Sequence, residues 1–317
     1  MRKRTLQSLS LVIPVYNEEE TLPFLKESLA AWLPSLGDIR TEIILVDDGS
    51  ADASLAFLEA WSEEDAAIKV LSFSRNFGHQ AAVTAGLKYV RGEACVIIDA
   101  DLQDPLDVIH EMIRRYEEGY DVAYGQRMRR EGETFFKRGT AWAFYRTMEL
   151  CMSVPLPLDT GDFRLVSRAC VDAVNAMPES HRFLRGMFAW VGFEQIAVPY
   201  SRDSRKYGET KYPLRKMLSF AWRGISSFST LPIRLVSYAG VCIALGAFLA
   251  GLYALFVYVR GDVIQGWTSL TILLAGLGGM ILLGLGIIGE YVGKIYEEVK
   301  GRPGYIIRKS CNIDNGE

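Results

Sequence analysis

The five cysteines of this 317-residue chain are scattered, and no two of them form a Cys-x-x-Cys pair. Zinc sites and disulfide frameworks need suitably spaced cysteines, so the sequence favours reduced thiols in a cytosolic compartment. Two nucleotide-binding signatures are also missing, because neither a Gly-x-Gly-x-x-Gly turn after the first predicted strand nor a Walker lysine loop occurs. These absences argue against a dinucleotide-dependent oxidoreductase and against a P-loop enzyme.

The net charge and the N-terminal residues exclude few further classes of protein. The net charge of −3 is too small to decide a partner by itself, and no nucleic-acid partner is expected. The start of the chain leads directly into a strand-like run at residues 9–15, without the apolar core of a signal peptide before it. The hydrophobic excess lies in the C-terminal third.

Apolar runs alternate with helical patterns through the first two thirds of the chain. Strands are predicted at residues 9–15, 42–46, 68–73, 95–98 and 121–124. Near-continuous apolar strands that alternate with helices are typical of an α/β fold, here a Rossmann-like, mostly parallel sheet with helices on both faces. Asp104 is predicted to cap a helix whose first residue is Pro105.

Polar or acidic turns follow three of these strands: Tyr16-Asn17-Glu18, Asp47-Asp48-Gly49 and Asp99-Ala100-Asp101. The carboxyl ends of parallel strands lie at one edge of a sheet, so we expect a single oxygen-rich site there. Asp99 and Asp101 are two residues apart on extended backbone, so their carboxylates point the same way and repel unless a cation lies between them. Such oxygen ligands suit Mg²⁺ or Mn²⁺ rather than zinc. An isolated Asp-x-Asp would more often be a solvated loop; the neighbouring turns favour the metal site.

Four motifs in this order carry a family resemblance: VIPVYNEE from Val12, VDDGS from Val46, DADLQDP from Asp99 and KYGETKY from Lys206. Together they resemble the family 2 glycosyltransferases of GT-A fold, in the polyprenyl-phosphate branch that includes bactoprenol glucosyltransferases and dolichyl-phosphate mannose synthase. The resemblance covers essentially the whole chain. It implies that Pro14, Tyr16, Glu18, Asp48 and Asp99 bind the nucleotide, and that Asp99, Asp101 and Gln103 bind the divalent ion that grips its diphosphate.

Basic residues dominate the sequence beyond the fifth predicted strand. They are Arg127, Arg129, Arg130, Lys137, Arg138 and Arg146, then Arg202, Arg205, Lys206 and Lys211. Most are expected to be solvated surface charges, but an acceptor phosphate needs cations beside an acidic metal site, and arginine suits phosphate oxygens. The resemblance points to Arg127 and Arg205 for that contact. Asp162 either pairs with a neighbour such as Arg164, or orients or deprotonates the attacking group.

The C-terminal third contains the membrane pattern. Residues 213–232 have one apolar helical face with cations off it, which predicts an amphipathic helix at a membrane interface. Two uncharged runs follow, at 235–259 and 267–288, each long enough to span a bilayer. Cations flank both outer ends of this hairpin, so the positive-inside rule places the catalytic domain and both termini in the cytoplasm.

These patterns predict four parts: a catalytic domain at 1–212, an interfacial helix at 213–232, two transmembrane helices within 233–293 and a cytoplasmic tail at 294–317. The glycine-rich spans permit a homo-oligomer.

The predicted function is metal-dependent, inverting transfer of one sugar to polyprenyl (undecaprenyl) phosphate at the cytoplasmic membrane face. A phosphate monoester is largely dianionic at neutral pH, so it needs alignment more than a base. The Gln-x-x-Arg-Trp motif of processive relatives is absent, since the comparable stretch from Phe188 is FAWVG. The resemblance to the bactoprenol glucosyltransferase branch implies UDP-glucose as the donor. The alternatives are a UDP-N-acetylhexosamine, a UDP-aminopentose or GDP-mannose as donor, or a non-catalytic membrane scaffold that retains a nucleotide-binding fold.

Overall fold

The structure is a computed structural model. It describes residues 4–128, 160–179, 182–201 and 266–313, together with isolated positions between 236 and 260. The predicted phosphate contact Arg205, the predicted interfacial helix at 213–232 and most of the first predicted span at 235–259 lie outside the described residues.

Eight strands of the described residues form one mixed sheet in the order β7-β5-β6-β4-β1-β2-β3-β8. The strands are β1 (Ser8–Val15), β2 (Arg40–Asp47), β3 (Ile68–Phe73), β4 (Ala94–Ile97), β5 (Val122–Arg127), β6 (Thr160–Ser167), β7 (Gln195–Tyr200) and β8 (Ile307–Cys311). The central strands β1 to β4 are parallel, as their continuous apolar runs predict. Their carboxyl ends therefore lie at one edge of the sheet.

Helices cover both faces of the sheet, which confirms the predicted layered α/β architecture. They are α1 (Leu22–Trp32), α2 (Ser54–Glu64), α3 (His79–Lys88), α4 (Val108–Glu117), α5 (Arg168–Asn175) and α6 (Leu184–Trp190). Alternate strand residues face opposite sides, so Leu11 and Ile13 pack with α1, α2 and α4, whereas Val12 and Ile44 pack with α3, α5 and α6.

The helix after the DADLQDP motif begins later than predicted. Helix α4 begins at Val108 rather than at Pro105, and its N-cap residue is Asp107. The Asp104 carboxylate is buried and accepts a hydrogen bond from the Tyr200 hydroxyl at 2.6 Å instead. A contact with a distant strand has therefore replaced the local capping bond.

Two strands run antiparallel to the rest. Strand β6 lies between β4 and β5 and pairs antiparallel with both, which brings Asp162 beside the carboxyl end of β4. Strand β8 pairs antiparallel with β3 at the sheet edge. It comes from residues 294–317, which the sequence indicated only as a tail, so this part of the chain returns to the catalytic sheet.

Helix α7 (Trp267–Val299) is 33 residues long and precedes β8. It contains the second predicted span and continues past the predicted end at residue 288. Within it, Gly276–Val299 is long and apolar enough to cross a membrane, and only 6% of its apolar window is buried. Among the described residues this is the one helix that meets that test, so the predicted two-helix hairpin is not established.

Candidate active site

Asp48 follows β2 and anchors the next turn along the sheet edge. Its carboxylate accepts hydrogen bonds from the backbone N–H of Phe77 at 2.7 Å and of Gly78 at 2.9 Å. Burial raises the pKa of Asp48, and these two N–H donors oppose the rise only in part. Asp48 therefore holds the β3–α3 loop at the carboxyl edge of the sheet.

The turns after β1 and β2 are joined directly. The Asn17 N–H donates to the Ser50 hydroxyl at 3.0 Å, and the Asn17 side-chain oxygen accepts from the Ala51 N–H at 2.8 Å. The Glu18 carboxylate accepts from the Thr21 hydroxyl at 2.8 Å. Tyr16 has 47% of its surface exposed, so its ring is accessible for stacking on a base.

Three more of the predicted nucleotide and metal residues, Asp99, Asp101 and Gln103, lie in the segment that follows β4. Asp99 and Asp101 are partly exposed on either side of the buried Ala100. Strand β4 ends at Ile97, and Ala100 and Asp101 lie in a turn rather than on the extended backbone that the sequence predicted. One Asp101 oxygen accepts the Gln103 N–H at 3.2 Å. Gln103 itself is 6% exposed, so the two carboxylates are the more accessible oxygens of this motif.

Asp162, on β6, forms an ion pair with an arginine of a distant helix. The guanidinium of Arg185, from α6, makes a bidentate ion pair with the Asp162 carboxylate. Its Nε lies 2.7 Å from Oδ1, and one terminal nitrogen lies 3.2 Å from Oδ2. The Gln80 amide donates to the same carboxylate at 3.2 Å. Burial favours the neutral acid, but the charge and hydrogen bonds of Arg185 outweigh it and hold the pKa of Asp162 at about 2. Asp162 is therefore ionised at neutral pH.

His79 lies between two of the predicted acids. Its Nε2 is 2.9 Å from Asp99 Oδ1, and its Nδ1 is 3.7 Å from Asp162 Oδ2. Partial burial lowers the pKa of His79, but the hydrogen bond with Asp99 and the charges of both acids outweigh it, so the pKa is raised. This imidazole connects the end of β4 to β6.

Arg127, at the end of β5, lies beside the same region. Its Nε donates to the Tyr200 hydroxyl at 3.4 Å, and that hydroxyl donates in turn to Asp104. Burial and the hydrogen bond to Asp104 raise the pKa of Tyr200 to about 12. A side chain at Gly161 would approach the Arg127 guanidinium to 2.8 Å, so the guanidinium packs on the backbone next to Asp162.

A partly exposed sheet edge that combines several carboxylates with arginines can bind a nucleotide and a phosphate, and comparison with known proteins decides the family. The family model "Glycosyl transferase family 2" matches residues 10–174. A Bacillus subtilis protein named uncharacterized glycosyltransferase YkcC is 47% identical over 96% of this chain and 95% of its own length. The chain belongs to glycosyltransferase family 2.

This family 2 glycosyltransferase has further relatives with a more specific name. The SfII prophage-derived bactoprenol glucosyl transferase of Shigella flexneri is 39% identical over 95% of this chain and 98% of that protein. Among solved structures, the chain is similar to glucosyl-3-phosphoglycerate synthase of Mycobacterium tuberculosis in complex with Mn²⁺, UDP and glucosyl-3-phosphoglycerate. There the TM-score is 0.45 and the identity 18%, over 69% of this chain and 78% of that one. The family resemblance of the motifs is confirmed.

The residues present fit a metal ion that is shared with a substrate. Among the described residues, no group of three or more His, Cys, Asp or Glu side chains could hold an ion by itself. Asp99 and Asp101 nevertheless offer two accessible carboxylates, and Mg²⁺ is commonly held by one or two carboxylates together with substrate phosphates. The site therefore suits a cation that arrives with a diphosphate.

The structure brings together most of the predicted site residues that it describes. The end of β4 and Asp162 meet through His79, and Arg127 packs beside Asp162. Arg164, the suggested partner of Asp162, is buried and donates to the Gly161 carbonyl at 3.0 Å, while Arg185 makes the direct ion pair.

Three contributors were missed: His79, Gln80 and Arg185. His79 and Gln80 follow β3 at the same sheet edge, so the strand-end rule that selected the acids could have selected them too. Arg185 lies in a short helix far along the chain, and no local pattern points to it.

Proposed function

We propose that this glycosyltransferase transfers one glucose from UDP-glucose to polyprenyl phosphate at the cytoplasmic face of the membrane, with inversion at the anomeric carbon. One observation carries the choice of acceptor and sugar: the near full-length similarity, at 39% identity, to a protein named bactoprenol glucosyl transferase. The alignment covers 95% of this chain and therefore extends well beyond the 10–174 family match.

The donor occupies the edge formed by the turns after β1, β2 and β4. Tyr16 offers an exposed ring for the uracil base, and Asp48 orders the loop after β3 at the same edge. Pro14 and Glu18, two residues before and after Tyr16, complete the proposed nucleotide contacts. Asp99 and Asp101, with Gln103 next to them, would hold Mg²⁺ or Mn²⁺. The bound ion would offset the negative charge that develops on the departing nucleoside diphosphate.

The acceptor phosphate approaches from the side of Asp162 and Arg127. A non-bridging phosphate oxygen forms the new bond to the anomeric carbon as the bond from that carbon to the UDP oxygen breaks, and UDP leaves with the electron pair. Arg127, with Arg205 from outside the described residues, binds the phosphate. Asp162, ionised and paired with Arg185, orients this region, because the phosphate dianion needs no base to remove a proton.

The membrane location follows from the lipid acceptor and from α7. The exposed apolar residues of α7 include Leu274, Ile281 and Leu285, a surface that hydrocarbon would cover at little cost. We place two spans in the bilayer as a hairpin, with the catalytic domain and both termini in the cytoplasm and the interfacial helix at 213–232 along the headgroups. The glycine-rich spans would also allow a homo-oligomer.

A labelled-donor panel tests this function. Membranes that contain the full chain are incubated with labelled UDP-glucose, UDP-N-acetylglucosamine, a UDP-aminopentose or GDP-mannose, with and without EDTA. We expect label from UDP-glucose in the lipid phase, a mild-acid-labile product and loss of transfer with EDTA. Label from another donor would mean that the enzyme transfers that donor's sugar instead of glucose. Transfer that persists in EDTA would mean that the reaction does not need a metal ion.

A substitution at the proposed metal site tests whether the protein is an enzyme or a non-catalytic scaffold. Asp101→Ala is expected to abolish transfer without lowering the thermal unfolding midpoint by more than a few degrees, because it removes one of the two accessible carboxylates. The matched control is Asp107→Ala, an exposed N-cap residue that makes no side-chain hydrogen bond to its helix. If no donor labels lipid and Asp101→Ala leaves UDP binding unchanged, a non-catalytic scaffold is the better description.

A further inference from the structure

Residues 77–80 contact three acids that belong to three different strand ends. Phe77 and Gly78 donate their N–H groups to Asp48, which follows β2. His79 bonds to Asp99 after β4 and faces Asp162 on β6. One short stretch of chain therefore touches the expected nucleoside side, metal side and acceptor side of the site.

The backbone at this point is constrained. Gly78 has φ +100°, in a region that L side chains rarely adopt, and it is the N-cap residue of α3. His79 is consequently the first residue of α3, and its ring is directed from the helix start across the site. The following residue, Gln80, bonds to Asp162 and accepts the Leu184 N–H at 3.1 Å, so α3 is also joined to the start of α6.

The imidazole geometry suits a spacer better than a substrate ligand. Both ring nitrogens face carboxylates, at 2.9 and 3.7 Å. Asp162 is also held by the bidentate ion pair with Arg185. Movement of the His79 ring would therefore change the separation between Asp99 and Asp162.

We infer that His79 is a positioning residue, which sets the distance between the donor-side carboxylate Asp99 and the acceptor-side carboxylate Asp162. This inference rests on the proposed function for the identity of the two sides. In-line transfer requires the acceptor phosphate and the anomeric carbon to be aligned, and a misplacement of about 1 Å can cost about 100-fold in rate. His79 acts through the two acids and makes no bond to the sugar.

Histidine NMR tests the geometry without any need for turnover. The chain has three histidines, His79, His110 and His181, so full-length protein labelled with ¹⁵N-histidine gives a small set of ring signals. The signals lost in His79→Phe are assigned to His79. We expect Asp99→Asn to shift the Nε2 signal and Asp162→Asn to shift the Nδ1 signal. If neither substitution shifts them, the inference is wrong, whatever sugar the enzyme transfers.

Kinetics with the donor that the panel identifies test the consequence. His79→Phe is expected to lower kcat by about 10- to 100-fold, as loss of a ligand-orienting partner commonly does, while UDP affinity in EDTA changes less than about threefold. In the Asp162→Asn background, His79→Phe should cause little further loss, because the two residues act together. The control is His110→Phe, at a histidine of α4 that packs on Trp32 away from the site.

Three results would overturn the inference. They are unchanged kcat in His79→Phe, losses that multiply in the double variant, and UDP affinity that falls in parallel with kcat. Failure of every donor to label lipid would instead refute the proposed function, and the NMR result would still decide the position of His79.

Discussion

At the scale of single residues, the same side chain acquires different properties from its neighbours. Burial dominates at Asp48, whose pKa is raised, whereas the Arg185 ion pair dominates at Asp162, whose pKa falls to about 2. Asp48 is bonded to neutral backbone N–H groups and Asp162 to a full positive charge, which accounts for the difference. An Asp162 with so low a pKa is suited to holding position rather than to taking up a proton.

The ionised Asp162 should therefore stabilise the fold by an amount that decreases at acidic pH. Its folded pKa lies below the ordinary 3.8, so the contribution is complete above about pH 4 and is lost as the pH falls towards 2. We expect Asp162→Asn to be less stable than the parent at pH 5.5 by about 2 kcal/mol, and the gap to shrink towards pH 3. Urea unfolding of the detergent-solubilised full chain measures it.

Asp172→Asn is the matched control, because its partner Arg168 and Asp172 itself are both about half exposed. Exposed ion pairs contribute little, so this variant should track the parent at every pH. A stability gap for Asp162→Asn that stayed constant between pH 5.5 and pH 3 would show that the ion pair does not depress the pKa of Asp162.

At the scale of elements, the site depends on close contact between turns. Gly49 follows Asp48 with φ +69°, and a side chain there would come within 2.4 Å of the Arg75 backbone carbon. The turn after β2 therefore packs directly on the loop after β3. That contact brings the N–H groups of Phe77 and Gly78 to the Asp48 carboxylate.

Alanine substitutions at two glycines distinguish the effect of this packing from the effect of backbone strain. Gly49→Ala should displace the loop after β3, weaken UDP binding at least about tenfold and lower stability by more than the roughly 1–2 kcal/mol of a left-handed alanine. Gly301→Ala, at the end of α7, has a similar φ of +59° but nothing within 4 Å of the new side chain, so it should show the strain alone. Calorimetry with UDP and thermal unfolding measure both variants, and equal effects would contradict the packing argument.

At the scale of the whole molecule, the C-terminal segment completes the catalytic sheet after the apolar helix α7. Strand β8 pairs with β3, and Tyr305 stacks on Phe73 with ring centroids 5.0 Å apart. The Asn312 amide then donates to the carbonyls of Ser62 at 2.6 Å and Ile68 at 2.9 Å. The end of the described chain is thereby fastened to the end of α2 and the start of β3, at the sheet edge opposite the loop that leads to His79.

Asn312 allows this attachment to be measured. Its φ of +55° favours Asn or Gly. Asn312→Gly therefore removes the side-chain hydrogen bonds with little backbone strain, whereas Asn312→Ala removes the same hydrogen bonds and also strains the backbone. We expect thermal unfolding to show a loss of about 1–2 kcal/mol for Gly, on the scale of two hydrogen bonds, and about 1 kcal/mol more for Ala.

Lys309→Ala serves as the control on β8, because its ion pair with Glu59 is largely exposed on the Lys309 side and should contribute less than about 1 kcal/mol. Unaltered stability in both Asn312 variants would mean that β8 does not need this anchor.

Local patterns accounted for the central parallel strands, the acids at their carboxyl edge and the apolar character of α7. Alternation on a strand and apolar run length are properties of neighbouring residues, so they can be recognised in a sequence by itself.

Contacts between distant residues could not be recognised in that way. Four contacts join segments that are far apart in the chain. They are the Arg185–Asp162 ion pair, the His79 imidazole between Asp99 and Asp162, the hydrogen bond from Tyr200 to Asp104, and the pairing of β8 with β3. Their energies depend on burial and charge that exist only after the sheet has assembled. Sequence thus specified which chemical groups lie at the sheet edge, and long-range packing specified which of them touch.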